Sequence, residues 1–346
     1  MLQRLAPRAR RVILTPYPSL QAPKRENIVS LNDSTFRDLY IGNGFTEFRG
    51  LIGAGEIQAP VPSQFLPEIE IVKSACLEIA ANTKLTEFSY RHEKRLYRVT
   101  IFNGSGDNRT FVIRQTPTEI FKVDTIGIPP YLREIFRNAK SCGLVLVSGG
   151  LGEGKTSTAA AVLADRISNT GGMAVSVEDP IETLLDGRHG KGRCVQIEVL
   201  ENEGYAGSLK KAMRVGGTDM LIGEIRDGDT AYEALKASNN GMFVIATIHA
   251  KSIIDAIERI ITLSQDRTPS AREILSNSLL SVMYQRLNIV KNNDGAIIKK
   301  VADIQGVHIP NEINGSAICN KIKRGDTTTL ESEFTALRLN MINSRG

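Results

Sequence analysis

The pattern of apolar and polar residues in the first third of the chain predicts several strands and one helix. Strand-like stretches lie at Phe36–Ile41, Leu96–Phe102 and Thr110–Gln115. The last two flank Asn103–Asn108, which is rich in Gly, Asn and Asp and is typical of a hairpin loop. The stretch Glu68–Ala81 is predicted to be a helix. We therefore expect a small α+β domain at the N-terminus.

Further along, the pattern changes to short apolar runs separated by helical segments. Four runs have the length and hydrophobicity of buried parallel strands: Leu144–Ser148, Met173–Val177, Met220–Ile222 and Phe243–Ile248. A helix is predicted over Lys155–Ser168, because Gly171 and Gly172 follow it as a stop signal. Parallel strands that alternate with helices are typical of an α/β domain with a mostly parallel sheet.

Prolines and glycines mark the boundary between the two patterns. Pro117 and the sequence Gly127-Ile128-Pro129-Pro130 interrupt both kinds of periodicity. A chain of 346 residues is long enough for two domains of unequal size. We predict an N-terminal domain at 1–117, an interdomain linker at 118–130 and a second domain at 131–346.

Composition narrows the classes of function. The 43 Lys and Arg residues against 38 Asp and Glu leave a net charge of only +5. Trp is absent and aromatic residues make up 5% of the chain, which leaves few platforms for stacking bases, so no nucleic-acid partner is expected. The four cysteines form no C-x-x-C pair, and the apolar runs are far shorter than a membrane span.

The cysteines and the first residues of the sequence predict a compartment. Scattered single cysteines in a chain with a large core are typical of reduced, intracellular thiols. Arg4, Arg8, Arg10 and Arg11 make the N-terminus basic, but no apolar stretch of signal-peptide length follows them. We therefore expect a cytoplasmic protein.

One stretch carries the strongest chemical signal in the chain. Eight consecutive residues fit the phosphate-binding pattern G-x-x-x-x-G-K-[ST]: Gly149, Gly150, Leu151, Gly152, Glu153, Gly154, Lys155 and Thr156. The glycines let backbone N–H groups surround phosphate oxygens, and the dipole of the following helix adds positive potential. Lys155 is predicted to reach the β- and γ-phosphates and Thr156 to offer its hydroxyl to Mg²⁺, with Ser157 as the next nucleotide contact. These residues predict a site for ATP and Mg²⁺.

Three of the later strands end at polar residues. The runs are followed by Glu178–Glu182, by Gly223–Asp227 and by His249. Because the carboxyl ends of parallel strands surround the ligand crevice of an open α/β sheet, we expect these residues beside the P-loop. A glutamate there can orient and polarise an attacking water, and another carboxylate can hold Mg²⁺ through its waters.

Taken in series, these motifs resemble those of the type II/type IV secretion ATPase superfamily, the hexameric motors of pilus and secretion machines. Members carry an acidic box that reads roughly E-D-P-I-E, a Walker B motif that reads G-E-x-R-D and a His box that ends T-[LV]-H. The corresponding segments here are Glu178–Glu182, Gly223–Asp227 and Thr247-Ile248-His249, and the resemblance covers roughly residues 90–325. It implies a RecA-like P-loop ATPase domain with C-terminal helices, preceded by a smaller, PAS-like α+β domain.

The resemblance also implies a role for each site residue. Glu224 would be the catalytic glutamate, Glu178 the acidic-box carboxylate near Mg²⁺ and the water, and His249 the sensor of the γ-phosphate. Lys155 joins them as a catalytic residue, and Thr156 completes the expected metal-binding set with the two glutamates.

Arginines of the N-terminal domain are further candidates. Leu96-Tyr97-Arg98-Val99 and Val112-Ile113-Arg114 resemble the F-R-V and F-R strands of the family. The resemblance implies that Arg98 and Arg114 reach a neighbouring subunit's nucleotide as trans-acting fingers. Arg109 is a third candidate, but its hairpin departs from the family in length, and a charge on an edge strand is the alternative interpretation.

The sequence also departs from the family pattern. Met242 occupies the position of a second His-box histidine, and only three residues separate Asp219 from Gly223, one fewer than is usual. We therefore expect low turnover, with hydrolysis retained. The chain has no tetracysteine element, and Ala317–Gly325 partly matches A-I-R-N-L-I-R-E-G, a motif of the pilus retraction branch. An ordinary amphipathic helix that ends at Gly325 is the alternative interpretation.

The predicted function is a homohexameric Mg-ATPase on the inner face of the cytoplasmic membrane. It would drive type IV pilus retraction through an inner-membrane platform protein, with only peripheral membrane association. Within the enzyme class, the alternatives are a type IV secretion or conjugation ATPase and a pilus-assembly ATPase. Outside that class, a RecA-like nucleic-acid motor and a non-hydrolysing, nucleotide-binding accessory subunit stay open.

Overall fold

The computed structural model describes residues 30–54, 57–106, 108–117, 119–200, 203–291, 297–309 and 317–343. The basic residues at the start of the sequence (Arg4, Arg8, Arg10 and Arg11) lie outside these ranges. Within them, no helix combines the length and the hydrophobicity that a membrane crossing requires. The described residues form two sheets, which we call the N-terminal sheet and the P-loop sheet.

The N-terminal sheet is antiparallel. Its described strands are β1 (Asp38–Gly42), β2 (Phe45–Arg49), β3 (Gln58–Pro60), β4 (Glu87–His92), β5 (Arg95–Asn103) and β6 (Arg109–Gln115). They lie in the order β3-β2-β1-β6-β5-β4, so β4 is an edge strand. The pairing of β5 with β6 confirms the predicted hairpin. The alternation of residues along these strands places one apolar face against a helix.

That helix, α1 (Leu66–Thr83), contains the predicted stretch Glu68–Ala81. Its buried residues are Ile69, Val72 and Cys76, and they share one core with strand residues such as Phe48 and Tyr97. The predicted α+β class of this part of the chain is therefore confirmed.

The P-loop sheet contains the four runs that were predicted to be parallel strands. Its described strands are β7 (Gly143–Gly149), β8 (Met173–Glu178), β9 (Gly187–His189), β10 (Gly192–Glu198), β11 (Asp219–Ile222), β12 (Phe243–His249), β13 (Leu279–Lys291) and β14 (Ile297–His308). Their order is β14-β13-β7-β12-β11-β8-β10-β9. Neighbours from β13 to β10 are parallel, and only β14 and β9 are antiparallel to their neighbours. The predicted fold class is confirmed.

Helices cover both faces of the P-loop sheet. The described helices after α1 are α2 (Pro130–Arg137), α3 (Lys155–Thr170), α4 (Gly204–Ala212), α5 (Gly228–Asn239), α6 (Ile253–Ser264), α7 (Ala271–Ser278), α8 (Ala317–Arg324) and α9 (Leu330–Asn343). Val145 and Val147 of β7 face α2 and α3, whereas Leu144 and Leu146 face the opposite layer. Both faces of β7 are buried, which explains its unbroken apolar run.

A buried ion pair lies at the end of β11 away from the P-loop. The Arg166 guanidinium on α3 contacts the carboxylate of Asp219 and stacks on the Phe243 ring, 4.0 Å from its centroid. It also donates to the backbone oxygens of Phe136, Asn138 and Ser141. Because every partner lies at this end of the sheet, Asp219 is a structural residue and takes no part in the nucleotide cleft.

The segment predicted to be a linker packs onto the P-loop sheet. Val123 and Ile128 are buried in the core on the α2–α3 face, and Ile120 packs against it. The Asp124 carboxylate contacts Arg133, which lies on α2. Much of 119–130 is therefore attached to the second sheet.

Candidate functional site

The P-loop connects the end of β7 to the start of α3. Gly154 immediately precedes the helix with a φ of 79°, a left-handed conformation that side chains disfavour. A Cβ on Gly149 would lie 2.5 Å from the backbone oxygen of Gln285, so no larger residue fits there without displacing β13. Leu151 lies at the tip of the loop and is 90% exposed. The loop thus has the tight strand–turn–helix form that the motif predicts.

Strand β13 supports the loop from one side. Gln285 is buried, and its Nε2 donates to the backbone oxygen of Glu153 at 2.5 Å. Its Oε1 accepts a hydrogen bond from Thr158 Oγ1 at 2.6 Å. The Glu153 carboxylate accepts from the backbone N–H of Leu287. The side chain of Glu153 is therefore directed to β13, and Gln285 is a site residue that the sequence analysis missed.

Lys155 lies across the loop that contains it. Its Nζ donates to the backbone oxygen of Gly150 at 2.7 Å and lies 3.2 Å from His249 Nδ1. Burial lowers the pKa of this ammonium, and the negative charges of Glu224, Glu153 and Glu182 oppose that effect. The amine is thus held at the mouth of the loop in an acidic environment.

The strand ends of β12 and β11 place a connected set of side chains beside Lys155. His249 Nε2 lies 2.9 Å from Glu224 Oε1. Arg226 Nε donates to Glu224 Oε2 at 2.6 Å, and its Nη1 lies 3.8 Å from Asp179 Oδ2. Contacts therefore run from the P-loop lysine through the histidine to the Walker B glutamate and on to the acidic box.

Glu178 ends β8 and is only 2% exposed. Its carboxylate accepts hydrogen bonds from the Ser176 hydroxyl, from Gln196 Nε2 at 2.9 Å and from the Glu182 backbone N–H at 3.3 Å. Burial raises the pKa of this carboxyl even though these bonds favour its charged form. Both of its oxygens already accept hydrogen bonds from the protein, so Glu178 shapes the wall of the cleft and has little capacity left for a direct bond to a ligand.

The predicted metal residues line one cleft. Its lining consists of Thr156, Glu178, Asp179, Pro180, Glu182, Tyr205, Gly223, Glu224 and Arg226. The described residues contain no cluster of three His, Cys, Asp or Glu side chains arranged to enclose a metal. One hydroxyl and a few carboxylates nevertheless fit Mg²⁺, which prefers oxygen ligands and keeps several of its waters. Ser157, the next residue on α3, is partly exposed.

The three candidate arginines are not brought together. Arg98 Nη1 donates to Glu182 Oε1 at 3.1 Å, so this guanidinium reaches the acidic box of its own chain. Arg114 Nε donates to Asp38 Oδ1 at 2.6 Å within the N-terminal sheet, although the arginine side chain is 49% exposed. Arg109 begins β6 and is exposed.

Met242 lies away from the cleft. It immediately precedes β12, whose other end carries His249, and its side chain packs against the core beneath α5–α7. Seven residue steps along the strand, roughly 23 Å, separate the two positions. In this subunit a histidine in place of Met242 would not touch the P-loop.

Comparisons with known proteins agree with this geometry. A model of the family "Type II/IV secretion system protein" matches residues 96–341. The chain is 29% identical over 226 residues to the uncharacterized protein YggR of Escherichia coli, which covers 64% of this chain. It is 33% identical over 201 residues, 55% of this chain, to the type IV pilus retraction ATPase PilT of Pseudomonas aeruginosa. It is 36% identical over 165 residues, 47% of this chain, to type II secretion system protein E of Klebsiella pneumoniae.

These matches cover only part of the relatives. The chain spans 64% of the length of YggR, 55% of PilT and 31% of the Klebsiella protein. A crystal structure of the pilus retraction motor PilT with bound ADP superposes with a TM-score of 0.69 at 25% identity. That superposition covers 87% of this chain and 86% of the solved one, so it includes both sheets.

Proposed function

Because the chain belongs to the type II/IV secretion system protein family, we propose that it is an ATP-hydrolysing motor of a type IV pilus machine. The contacts that join Lys155, His249 and Glu224 carry the proposal. They connect a phosphate-binding lysine to a strand-end carboxylate through an imidazole, and a Gly-rich turn that binds nothing would not need them. The bound ADP of the PilT structure supports a nucleotide as the ligand.

Each side chain then has a step in hydrolysis. The backbone N–H groups of the P-loop and Lys155 would hold the β- and γ-phosphates of ATP. Glu224 would orient the attacking water and accept its proton, while His249 holds the carboxylate on one side and faces Lys155 on the other. When bound, Mg²⁺ would offset the negative charge of the phosphates. Thr156 would hold it directly, with Glu224 and Glu178 acting through its waters.

The arginines would complete the site in an assembled ring. We propose a homohexamer in which Arg114 and Arg109, both partly or fully exposed in one subunit, face the nucleotide of a neighbour. Arg98 would act nearer its own acidic box, where the structure has it bonded to Glu182. The ring would lie on the cytoplasmic face of the inner membrane and pass domain motion to a platform protein. Pilus retraction is the direction that the similarity to PilT supports.

The enzymatic part of the proposal is tested by ATP turnover of the purified ring beside Glu224→Gln. Wild-type protein should hydrolyse ATP and sediment as a hexamer. The variant should bind ATP but hydrolyse it about 10²- to 10⁴-fold more slowly. An assembled wild-type ring that does not hydrolyse ATP would support the non-hydrolysing accessory subunit instead. Stimulation of turnover by DNA or RNA would support the nucleic-acid motor.

A secretion ATPase is the second candidate, since the chain is also similar to type II secretion system protein E. Deleting the gene distinguishes the alternatives. Excess pili at the cell surface would support retraction, and bare cells would support pilus assembly. Normal pili with failed export would support secretion or conjugation.

A further inference from the structure

A side chain from the P-loop sheet forms hydrogen bonds with β4, the edge strand of the N-terminal sheet. An edge strand presents backbone N–H groups that no neighbouring strand can pair. On β4, the N–H of Ser89 donates to Glu198 Oε1 at 2.6 Å, and its hydroxyl donates to Glu198 Oε2 at 2.9 Å. Glu198 is the last residue of β10. One carboxylate therefore binds two groups of a residue in the other sheet.

The same carboxylate also holds the acidic box. Glu198 Oε1 accepts the backbone N–H of Ile181 at 3.4 Å, and Ile181 lies between Glu178 and Glu182. In the sheet register, Glu198 lies directly opposite Glu178. The Glu198 carboxylate therefore contacts both Ser89 and the loop that begins at Glu178.

A second residue of β10 fixes the rest of that loop. Gln196 Nε2 donates to Glu178 Oε1 at 2.9 Å and to the backbone oxygen of Thr183 at 2.8 Å. Its Oε1 accepts the N–H groups of Leu185 and Asp186 at 2.7 and 2.8 Å. All of these partners belong to the P-loop sheet and its loops, so Gln196 fixes the loop locally, whereas Glu198 connects it to the N-terminal sheet.

The N-terminal sheet makes a second contact with the loop at the same place. Arg98 on β5 is the register partner of Ser89 on β4, and it donates to Glu182. The two contacts engage consecutive positions of the loop, the backbone N–H of Ile181 through Glu198 and the side chain of Glu182 through Arg98. The Ser89–Arg98 pair thus holds the loop at two points, and a shift of the sheet edge moves both.

We propose that Glu198 is a positioning residue through which the edge of the N-terminal sheet sets the geometry of the loop from Glu178 to Glu182. Turnover then depends on where the N-terminal sheet lies, which gives the proposed motor a route between domain motion and the site. The inference rests on the proposed ATPase function for its kinetic readout. Glu198 itself touches neither substrate nor metal in this scheme.

Three substitutions of Glu198 distinguish the effect of its side-chain length from the effect of its negative charge. Gln in place of Glu198 keeps an oxygen for the two backbone N–H groups and offers an amide N–H to the Ser89 hydroxyl, so kcat should stay within about threefold of wild type. Asp keeps the charge but is one methylene shorter, and Ala keeps nothing. Both should lower kcat by about ten- to a hundredfold, with little change in KM, because a misplaced catalytic loop affects the reaction more than ATP binding.

Amide hydrogen exchange supplies a readout that needs no hydrolysis. In the Asp and Ala variants, the amides of Ser89 and Ile181 should lose protection together, although they belong to different sheets. Glu47→Gln is the matched control, because Glu47 is an N-terminal-sheet carboxylate that accepts a hydrogen bond from Gln58 across β2 and β3. It should change neither kcat nor exchange at Ile181.

Two results would overturn the inference. One is a Glu198→Gln variant as inactive as Glu224→Gln, which would show that the charge of Glu198 acts in the reaction. The other is wild-type kcat together with wild-type exchange at Ile181 in the Asp and Ala variants. If the wild-type ring does not hydrolyse ATP, the proposed function fails, but the exchange measurements still decide whether Glu198 couples the two sheets.

Discussion

The two sheets use the same residue types in different ways. In the P-loop sheet, the parallel strands point in one direction, and Glu178, Glu224 and His249 lie at or just beyond the ends of three of them. These three residues line or adjoin one cleft. In the antiparallel N-terminal sheet, successive strands end at opposite edges, and Arg98, Arg109 and Arg114 have three different environments. A parallel sheet brings the side chains at its strand ends close together. In an antiparallel sheet such side chains lie apart, and only contacts with another part of the structure can bring them to one site.

The largest contrast is expected in stability. Asp219 and Arg166 are both buried, so Asp219→Ala leaves an uncompensated guanidinium in the core and should cost about 3–5 kcal/mol of unfolding free energy. Asp38 is equally buried, but its partner Arg114 is half exposed and can turn to solvent, so Asp38→Ala should cost about 1–2 kcal/mol.

Urea unfolding of the two variants measures the difference directly. Each loss should appear as a lower transition midpoint with little change in slope. Equal losses would show that the N-terminal sheet depends on its buried carboxylate as strongly as the P-loop sheet does.

Replacement of the P-loop lysine tests whether the cleft at the carboxyl ends of the parallel strands is the site of ATP hydrolysis. Lys155→Ala removes the cation that faces both the loop and His249, and it should lower turnover by about a hundredfold or more. Lys140→Ala, an exposed lysine just before β7, is the control and should retain wild-type turnover. Steady-state ATP hydrolysis with a coupled assay measures both. Near-normal turnover in Lys155→Ala would remove the basis for the P-loop interpretation.

The arginines of the N-terminal sheet should differ from one another in the same assay. Arg98→Ala breaks the contact with Glu182 and should lower kcat about tenfold. Arg114→Ala should lower kcat more strongly than this in assembled rings, because the proposed ring places Arg114 at a neighbouring subunit's nucleotide. If instead Arg114→Ala is the milder variant in assembled rings, Arg114 serves only its bond to Asp38 within the N-terminal sheet.

The smallest expected difference between the two sheets is in how the stability contributed by a buried glutamate depends on pH. Burial opposes the ionisation of Glu68, but hydrogen bonds from His92, the Leu31 N–H and the Ser30 hydroxyl outweigh it and lower the pKa of this carboxyl. A lowered pKa stabilises the folded state above the unfolded value of about 4.3, and the gain is lost as pH falls through the folded pKa. The raised pKa of Glu178 acts in the opposite direction, since its contribution is lost as pH rises.

Glu68→Gln should therefore cost about 1 kcal/mol at pH 7, and the difference from wild type should shrink below about pH 4. Glu70→Gln on the exposed side of the same helix is the control, with little effect at either pH. Urea unfolding at the two pH values gives the comparison. A Glu68→Gln deficit that is constant with pH would assign the loss to packing and not to ionisation.

How much could be predicted from the sequence also differs between the sheets. Short apolar runs followed by Glu178, Glu224 or His249 were enough to predict parallel strands with these side chains close together. The direction of a strand alone determines at which end of the sheet the residue after it lies. The alternation in β6 placed Arg114 on a strand but could not reveal Asp38 beside it. Pairing between distant strands leaves no local pattern.

The supporting residues were missed for a related reason. Gln285 bonds to a residue 127 positions away and Glu198 to one 109 positions away, so no spacing within the chain indicates either contact. The segment 118–130 was predicted to be a linker from its Pro and Gly residues. Its apolar residues, Val123 and Ile128 among them, were the available signal that much of it is packed.

The attachment of that segment limits how far the two halves of one chain can separate. Thr116 donates to the backbone oxygen of Leu96 and belongs to the N-terminal sheet, while Ile120 already packs on the other core. Four residue steps of extended chain span at most about 14 Å. Within an assembly, the N-terminal sheet of each copy must therefore stay within about this distance of its own P-loop sheet. It can pack on the P-loop sheet of a neighbouring copy only where that sheet lies within the same reach.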